Sequence, residues 1–470
     1  MNIYTIDAHV YDETNLNVNM IIKLITKHSH VANKIINNRK YYLGNHKILQ
    51  REKKMKSSSN EKLVCNHAKD ISDTATGYFL NSPIAYSSYD KKDDLFVNEI
   101  TDKFDKANVD DVDSDNAHDM SVAGVAYEYV YALKDRSELS IRNLEPENTF
   151  LVYDDTIEQN LLFGVYYFRI TDAISDKKKY KATVCTKNFI YEMIIEGDEA
   201  NHVREPFEHH MGNVPIVEYR NNKHMIGDYE QQISLIDAYN VLMSDRVNDK
   251  VQFVESLLVI YGALMGDDNE EVSEAVKVLK EHGLLELPSD ARAEYIARTF
   301  DEAGMEILRK AIKEDIYTFS HVPNLTDENF VGNSSGVAME YKLLGLQMIT
   351  NEKEKYYKKG LKRRIQLFTN FMNLKKATQE VTDEGTVKIT FSRKLPKNMS
   401  ELANMIANLK GTVSQETLIS QLDFVEDAQN EIQKVSAEND ENIKRQQSLF
   451  ASGYNQPLNN NNSQIEDIEE

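Results

Sequence analysis

The sequence predicts an α+β fold built on long helices, and three observations carry that prediction. Apolar residues recur every three or four positions over residues 16–43, 229–255, 301–319 and from 336 to about 376, the period of a helix with one buried face. Between Ala126 and Tyr219 the pattern changes to short alternating or continuous β-rich runs. A polar stretch, residues 323–336, then ends in Gly332-Asn-Ser-Ser-Gly336 and separates two of the long helices. With 470 residues and 41% hydrophobic content the chain can bury a substantial core, divided over about two to four domains.

The elements follow in order. Residues 16–43 carry Ile21, Leu24, Ile25, Val31 and Ile35 at helical spacing and end at Gly44. Arg51, Lys53, Lys54, Lys56 and Lys62 surround a Ser57-Ser58-Ser59 linker and read as an exposed loop, because no aromatic residues interleave with these charges. A helix from about Lys62 to Leu80 places His67 on its apolar stripe, as a core histidine. The β-rich runs AYEYVYAL, TFLVYD, LLFGVYYFRI, KATVCT, FIYEMII and VPIVEY give a mainly antiparallel sheet.

After Gly227 the residues Ile233, Ile236, Met243, Val247, Val251 and Val254 predict a helix over 229–255, a strut ~40 Å long. Residues 256–300 form an insertion containing the apolar run SLLVIYGALM, a short helix over 271–283 and two strands, LLEL and AEYIA, around Pro288. A second helix carries Met305, Leu308, Ile312, Ile316 and Phe319 on one face and stops before Pro323, since the residue before a proline is pushed out of the helical region. The polar loop follows. Ser335 is a fair N-cap for the next helix, whose Val337, Tyr341, Leu344 and Met348 form a stripe and which Gly345 or Gly360 could bend. A strand (TVKITFS) and helices from Ser400 to about Glu438 come last, and the Asn-rich acidic tail after Asn439 is expected to be disordered.

Charge and motifs exclude several functions. Lys plus Arg is 55 against 76 for Asp plus Glu, a formal charge of −21, which argues against a protein that grips nucleic acid by neutralising phosphates. Two cysteines without framework spacing, Cys65 and Cys185, predict a reducing compartment and no disulfide. The longest uncharged apolar run, residues 256–266, is too short to span a bilayer, and the N-terminus lacks a signal pattern, so a soluble, unexported protein with no membrane partner is expected. Gly332 to Gly336 matches Gly-x-Ser-x-Gly, but no buried strand precedes it and no histidine follows His321, so Ser334 is not read as a hydrolase nucleophile. His202, His209 and His210 lack a completing cysteine or carboxylate at ligand spacing. There is no phosphate-binding GxxxxGK[ST] loop, no HExxH and no paired-cysteine zinc spacing. No enzyme activity, catalytic residue, metal or cofactor is therefore expected. Residues 351–364 carry seven cations, Lys353, Lys355, Lys358, Lys359, Lys362, Arg363 and Arg364, against Glu352 and Glu354. This run reads as a solvated or subunit-bridging helix face, with a DNA-facing role as the sharper alternative.

Four segments together carry a resemblance: RKYYLGNHKIL (39–49), EKLVCNHAKDISDTATGYFLNSPIAY (61–86), PIVEYRNNKHMIGDYEQQISLIDAYN (215–240) and VPNLTDENFVGNSSGVAMEYKLLGL (322–346). Over residues 20 to 400 the chain resembles portal proteins of tailed bacteriophages, of the type found in long-tailed phages of Gram-positive hosts. It departs mildly, with Ser82 where a glycine-asparagine-proline turn is common.

The resemblance implies a portal-type fold that assembles as a ring, usually of twelve subunits, at one vertex of the virion capsid after assembly in the host cytoplasm. Double-stranded DNA would be packaged and ejected through its channel without sequence readout. Residues 1–226 and a strand near 386–393 would form a wing. The helices over 227–255 and 301–322 would form a stem, 256–300 an α/β clip, and 323–336 a tunnel loop. A long helix and the wing strand would occupy 337–396, helices over 397–450 a crown, and 451–470 a disordered tail. Loop residues Asn324, Asp327, Glu328, Asn329, Asn333, Ser334 and Ser335 would face DNA, with Pro323, Gly332 and Gly336 as hinges. Lys277, Lys280, Glu281, Glu286 and Arg292 of the clip would meet the terminase large subunit and then the head-tail adaptor. Major capsid and scaffolding proteins complete the implied partners. Two other readings stay open at this point: a head-tail structural component without a DNA channel, and a phage-encoded enzyme acting on DNA or peptidoglycan.

Overall fold

The computed structural model describes residues 3–52, 59–133, 138–170, 179–197, 199–254, 257–261, 273, 277, 292–296, 301–325, 336–375, 384–393, 399–422, 425 and 428–453. The chain divides into two compact units, Met1–Arg393 and Lys394–Glu470.

The first unit opens with β1 (Tyr4–Ile6) and α1 (Val18–Tyr42). Asn17 caps α1, its side chain accepting the Met20 N–H at 3.2 Å and so satisfying one of the orphan donors of the first turn. The helix is 25 residues long because apolar residues keep facing one way. Ile21, Leu24 and Ile25 are buried with Phe150, Val152, Phe163, Val165, Val184 and Met193 of the sheet below. Each such side chain contributes about 1.5–3 kcal/mol when fully buried.

α2 (His67–Phe79) begins later than the apolar spacing from Lys62 predicts. Asn66 sets the start: its side chain accepts the Lys69 N–H at 3.1 Å and donates to the Tyr42 carbonyl at 2.9 Å. One residue thus caps α2 and ties it to the end of α1. β2 (Ala85–Ser88), α3 (Asp94–Lys106) and α4 (Val109–Ala123) follow. Gly124 closes α4 at φ +82°, and a Cβ there would run into the Met225 carbonyl.

The strands are β3 (Val125–Ala132), β4 (Leu139–Leu144), β5 (Thr149–Asp154), β6 (Leu161–Ile170), β7 (Lys179–Cys185), β8 (Phe189–Glu196), β9 (Glu199–His202), β10 (Phe207–Glu208) and β11 (Ile216–Arg220). They form a seven-stranded sheet in the order β1-β5-β6-β7-β8-β10, with β9 also on β8, and a three-stranded sheet β11-β3-β4. All of these pairings are antiparallel except β1 with β5. The expected runs all appear. The strands β1, β2, β4, β9 and β10 were not legible, because two to six residues of mixed polarity carry too little period.

α5 (Ile233–Val254) leads to β12 (Leu257–Tyr261), which pairs antiparallel with β13 (Arg292–Ile296). Between them, the helix expected over 271–283 is described only at Ser273 and Lys277, and the strand expected at 284–287 lies outside the described residues. α6 (Glu302–Ser320), α7 (Gly336–Lys375) and β14 (Val387–Thr390) complete the unit, β14 pairing antiparallel with β2. One side of α7 packs in a core with α3, α4, β3 and β11, where Phe96, Phe104, Met120, Val130, Tyr219, Tyr357, Ile365 and Phe368 meet.

The second unit holds α8 (Met399–Leu409), α9 (Gln415–Ile419) and α10 (Ala428–Gly453). The disorder expected after Asn439 is corrected here, since α10 continues to Gly453. Glu441, Lys444, Arg445, Gln446, Gln447 and Leu449 are good helix formers and outweigh the asparagines among them. Residues 454–470 of the expected tail lie outside the described residues.

The α1 face also buries His28, 2% exposed, whose Nδ1 meets the Tyr167 hydroxyl at 2.8 Å. Burial lowers its pKa to about 4. The unfolded chain takes up that proton near pH 6.5 and the folded chain does not, so stability is full above pH 6.5 and falls as pH drops toward 4. Between pH 7.5 and 5 the loss from His28 is expected to be about 2 kcal/mol. A His28→Gln variant should show a correspondingly shallower fall in urea-unfolding midpoint, and an unchanged pH dependence would contradict this account.

Candidate functional site

The polar loop hangs from a frame of three helices, and the lock begins between α5 and α6. Arg246 of α5 pairs with Glu302 and with Glu306, the latter at 2.9 Å. Arg309 grips Glu306 at 2.6 Å and donates to the Tyr239 hydroxyl at 3.2 Å. Hydrogen bonds from Arg309 and Arg246 hold the Glu306 acid down at about 2. At the other end of α6 the Tyr317 hydroxyl donates to Asp70 of α2 at 2.7 Å. Its proton is therefore used, and His67 must donate from Nδ1 across the 3.1 Å separation to Tyr317. Burial, then the nearby Lys313, lowers His67 to about 4 and keeps it neutral.

α5 departs from its expected apolar stripe. Its buried line is Ile236, Asn240, Ser244 and Asn248, while Val251 is exposed. The three polar members accept backbone N–H groups of an extended segment: Cys65 to Asn240 at 2.8 Å, Leu63 to Ser244 at 3.0 Å, and Glu61 to Asn248 at 2.7 Å. The match is geometric. Four helical residues rise ~6 Å and two extended residues ~6.6 Å, so positions four apart on α5 meet alternate residues of an antiparallel segment. Arg51 adds an ion pair to Asp245 at 2.6 Å and donates to the Glu61 carbonyl at 3.1 Å. This ladder is why the helix expected from Lys62 does not form until His67.

α6 ends at His321 in the left-handed region, φ +58°, and Val322 is buried. The chain returns as α7 at Gly336, and Gly345 lies against His321, where a Cβ would sit 3.5 Å from the His321 Cβ and carbonyl oxygen. The end of α6 is thus packed against α7 about 13 Å after that helix begins. Pro323 and Asn324 are half-buried and Leu325 is exposed. Asp327, Glu328, Asn329, Gly332, Asn333, Ser334 and Ser335 lie outside the described residues, and Gly336 is the first residue of α7. In the insertion, Lys277 and Arg292 are exposed, and Lys280, Glu281 and Glu286 lie outside the described residues.

The basic run of α7 is not one surface. Lys355, Lys359 and Lys362 are exposed, Lys358 pairs with Glu354 at 2.8 Å, and Arg363 is half-buried near the Val214 carbonyl at 3.4 Å. Lys353 and Arg364 correct the expectation of a solvated, bridging or DNA-facing run, because both are buried. Lys353 pairs with Asp228, which also accepts from Ser121 at 2.7 Å and Asn221 at 2.9 Å. Arg364 Nε donates to both Glu128 oxygens, at 2.9 and 3.1 Å, and its Nη2 donates to Asp113 at 2.6 Å and to Glu128. Tyr357 donates to Asp113 at 2.7 Å and Tyr219 to Glu128 at 3.2 Å.

Residues 353, 357, 361, 364 and 368 share one side of a helix, so the 3.6-residue period could have separated these two cations from the three exposed lysines. Gly360 is no bend either. α7 is continuous there, and a Cβ at Gly360 would fall inside the Tyr219 ring.

The three histidines do not converge on a ligand site. His209 is buried with both ring nitrogens engaged, Nε2 on the Thr186 carbonyl at 3.1 Å and Nδ1 accepting the Met211 N–H at 3.2 Å. His202 and His210 are exposed. Both cysteines are free. Among the described residues no helix is long and apolar enough to cross a membrane, and no group of three acidic, histidine or cysteine residues is placed to hold a metal.

A family model described as phage portal protein, SPP1 Gp6-like, matches residues 22–445. The chain is 22% identical over 458 residues to the portal protein of Bacillus phage SPP1, covering 92% of this chain and 88% of that one. It is 24% identical over 290 residues to the portal protein of Clostridium phage phiCD119, covering 61% and 58%.

Arg364 pairs with two buried carboxylates, so Arg364→Met is expected to destabilise the protein by about 3–5 kcal/mol. Urea unfolding measures it. Adding Glu128→Gln should recover part of the loss, and a single variant as stable as the parent would contradict the anchoring role.

Proposed function

The chain belongs to the phage portal protein family of the SPP1 Gp6-like kind, a structural component of phage virions, and from that premise we propose that copies of it form a ring of about twelve at one capsid vertex. DNA is packaged and later ejected through the channel of this ring. α5 and α6 form the stem, residues 323–336 the tunnel loop, and residues 256–300 the clip that meets the terminase large subunit and then the head-tail adaptor. Residues 1–226 with β14 form the wing, and 397–450 the crown, set among major capsid and scaffolding proteins. The ring assembles in the host cytoplasm.

One observation supports this reading: the helix before the polar stretch and the helix after it are held together, with the end of α6 at His321 packed against Gly345 of α7. The chain's formal charge of −21 supports it. A repulsive wall suits a polymer that must slide, since each phosphate paired with a lysine or arginine would be a salt-dependent brake. Asparagine and serine groups of the loop can touch the DNA backbone without reading bases.

The native mass of the purified protein, with class averages viewed down the particle axis, is expected to give an open ring of about twelve chains. A monomer stable at high concentration would overturn the proposal. Replacing Gly332 and Gly336 by proline should leave rings intact and block packaging into proheads. Normal packaging by that variant would remove the loop's role and leave the ring reading standing.

A further inference from the structure

We propose that the outer face of α7 is one half of a head-to-tail contact between copies of this chain, and that the outer face of α4 is the other half. The inference rests on the ring reading above and names the surfaces that close the ring.

The first observation is a stripe. Tyr341, Leu344 and Met348 are 74%, 49% and 65% exposed, and Lys355, Lys359 and Lys362 are exposed as well. These six lie on one side of a single helix, as 341, 348, 355 and 362 are successive heptad positions and 344 and 359 flank them. The stripe runs ~31 Å, apolar in its first half and basic in its second. The three lysines have no ion pair among the described residues, whereas the two cations on the opposite side of the helix, Lys353 and Arg364, each pair with buried carboxylates. An exposed stripe of this composition on a helix whose other side fills a core is a surface without its partner.

The second observation is the complement. On α4, Asp111 and Asp115 lie on the side opposite Asp113 and Asp110 lies at the edge of that side, and all three are exposed and form no ion pair among the described residues. Partial burial, and then the carboxylates of Asp113, Asp105 and Asp111, raise the Asp110 acid above its ordinary value. Like charges crowded in this way gain from a cation brought against them.

The third observation is placement. Asp113 on the inner side of α4 bonds to Tyr357 and Arg364 on the inner side of α7. The two helices therefore face each other, and their outer sides point in opposite directions at the level of residues 357–364. A heterologous contact needs two different complementary surfaces on opposing sides of one subunit, and a ring forms when the rotation between copies closes. The lysines meet the aspartates of the next copy, and Tyr341, Leu344 and Met348 give the apolar part of the contact.

The test is a charge exchange read by native mass on the full chain. Lys355→Glu/Lys359→Glu/Lys362→Glu and Asp110→Lys/Asp111→Lys/Asp115→Lys are each expected to run as single chains, with circular dichroism showing the parent's helix content. Mixed in equal amounts they should form rings again, because each variant's stripe then meets the other's α4 face. Rings from either variant alone, or a mixture that stays dissociated, would overturn the pairing while parent rings keep the ring reading intact. A parent chain that is itself monomeric would remove the ring reading, and this contact with it.

Discussion

The buried cluster around Arg364 is the constraint on which the architecture depends. Arg364 has no solvent exposure, Glu128 and Asp113 accept from its Nε and Nη2, and Tyr357 and Tyr219 donate to the same two carboxylates. A buried ion pair gains little net stability over well-packed apolar residues, yet breaking one leaves an unpaid charge in a dry interior. Its effect is to fix register: α7 can dock on β3 and α4 in the one position that satisfies both carboxylates. Lys353 on Asp228 repeats the device about three turns earlier. With Gly360 admitting the Tyr219 ring between them, the middle of α7 has no freedom to slide or bend.

The helix pair α5 and α6 is fixed by different means. Its contacts are arginine and carboxylate pairs and a ladder of helix side chains on an extended backbone. The ladder gives residues 61–65 the hydrogen bonds a neighbouring strand would otherwise supply, without a sheet edge. Because Asn240, Ser244 and Asn248 have short side chains, their geometry is set by the helix and little rotamer entropy is lost. Leu308 and Phe319 of α6, by contrast, remain 48% and 61% exposed. An apolar stripe that the sequence assigns to a core is thus covered only in part by the described residues, with Ile316 buried.

This difference explains what was legible in the sequence. Periodicity located α1, α5, α6, α7 and the long strands, since an apolar repeat records that a face is buried whoever buries it. It did not say by what. Tyr341, Leu344 and Met348 look the same in sequence as Ile21, Leu24 and Ile25, yet the first set is exposed and the second lies under a sheet. The polar line of α5 was missed for the opposite reason, because asparagine and serine at four-residue spacing read as a solvated face. The start of α2 was misplaced because Asn66 and the ladder override the spacing from Lys62. In the basic run, counting charges hid a division that the helical period contains, with Lys353 and Arg364 turned inward and Lys355, Lys359 and Lys362 outward.

That division bears on how, in the proposed ring, an acidic chain would line a DNA channel. Arginines that would attract phosphate are engaged within the fold: Arg39 with Glu147, Arg51 with Asp245, Arg220 with Glu218, Arg246 with Glu302 and Arg393 with Glu354. Pairing them internally removes both their charge and their geometry from a passing backbone. The outer lysines of α7 form no ion pair among the described residues, and turned toward a channel they would act as a brake. Turned toward the acidic side of a neighbour they would instead neutralise a clash that each copy carries alone. In the proposed ring the same three charges would oppose transport in one orientation and help assemble the channel in the other, so the −21 formal charge favours the orientation in which the stripe faces protein.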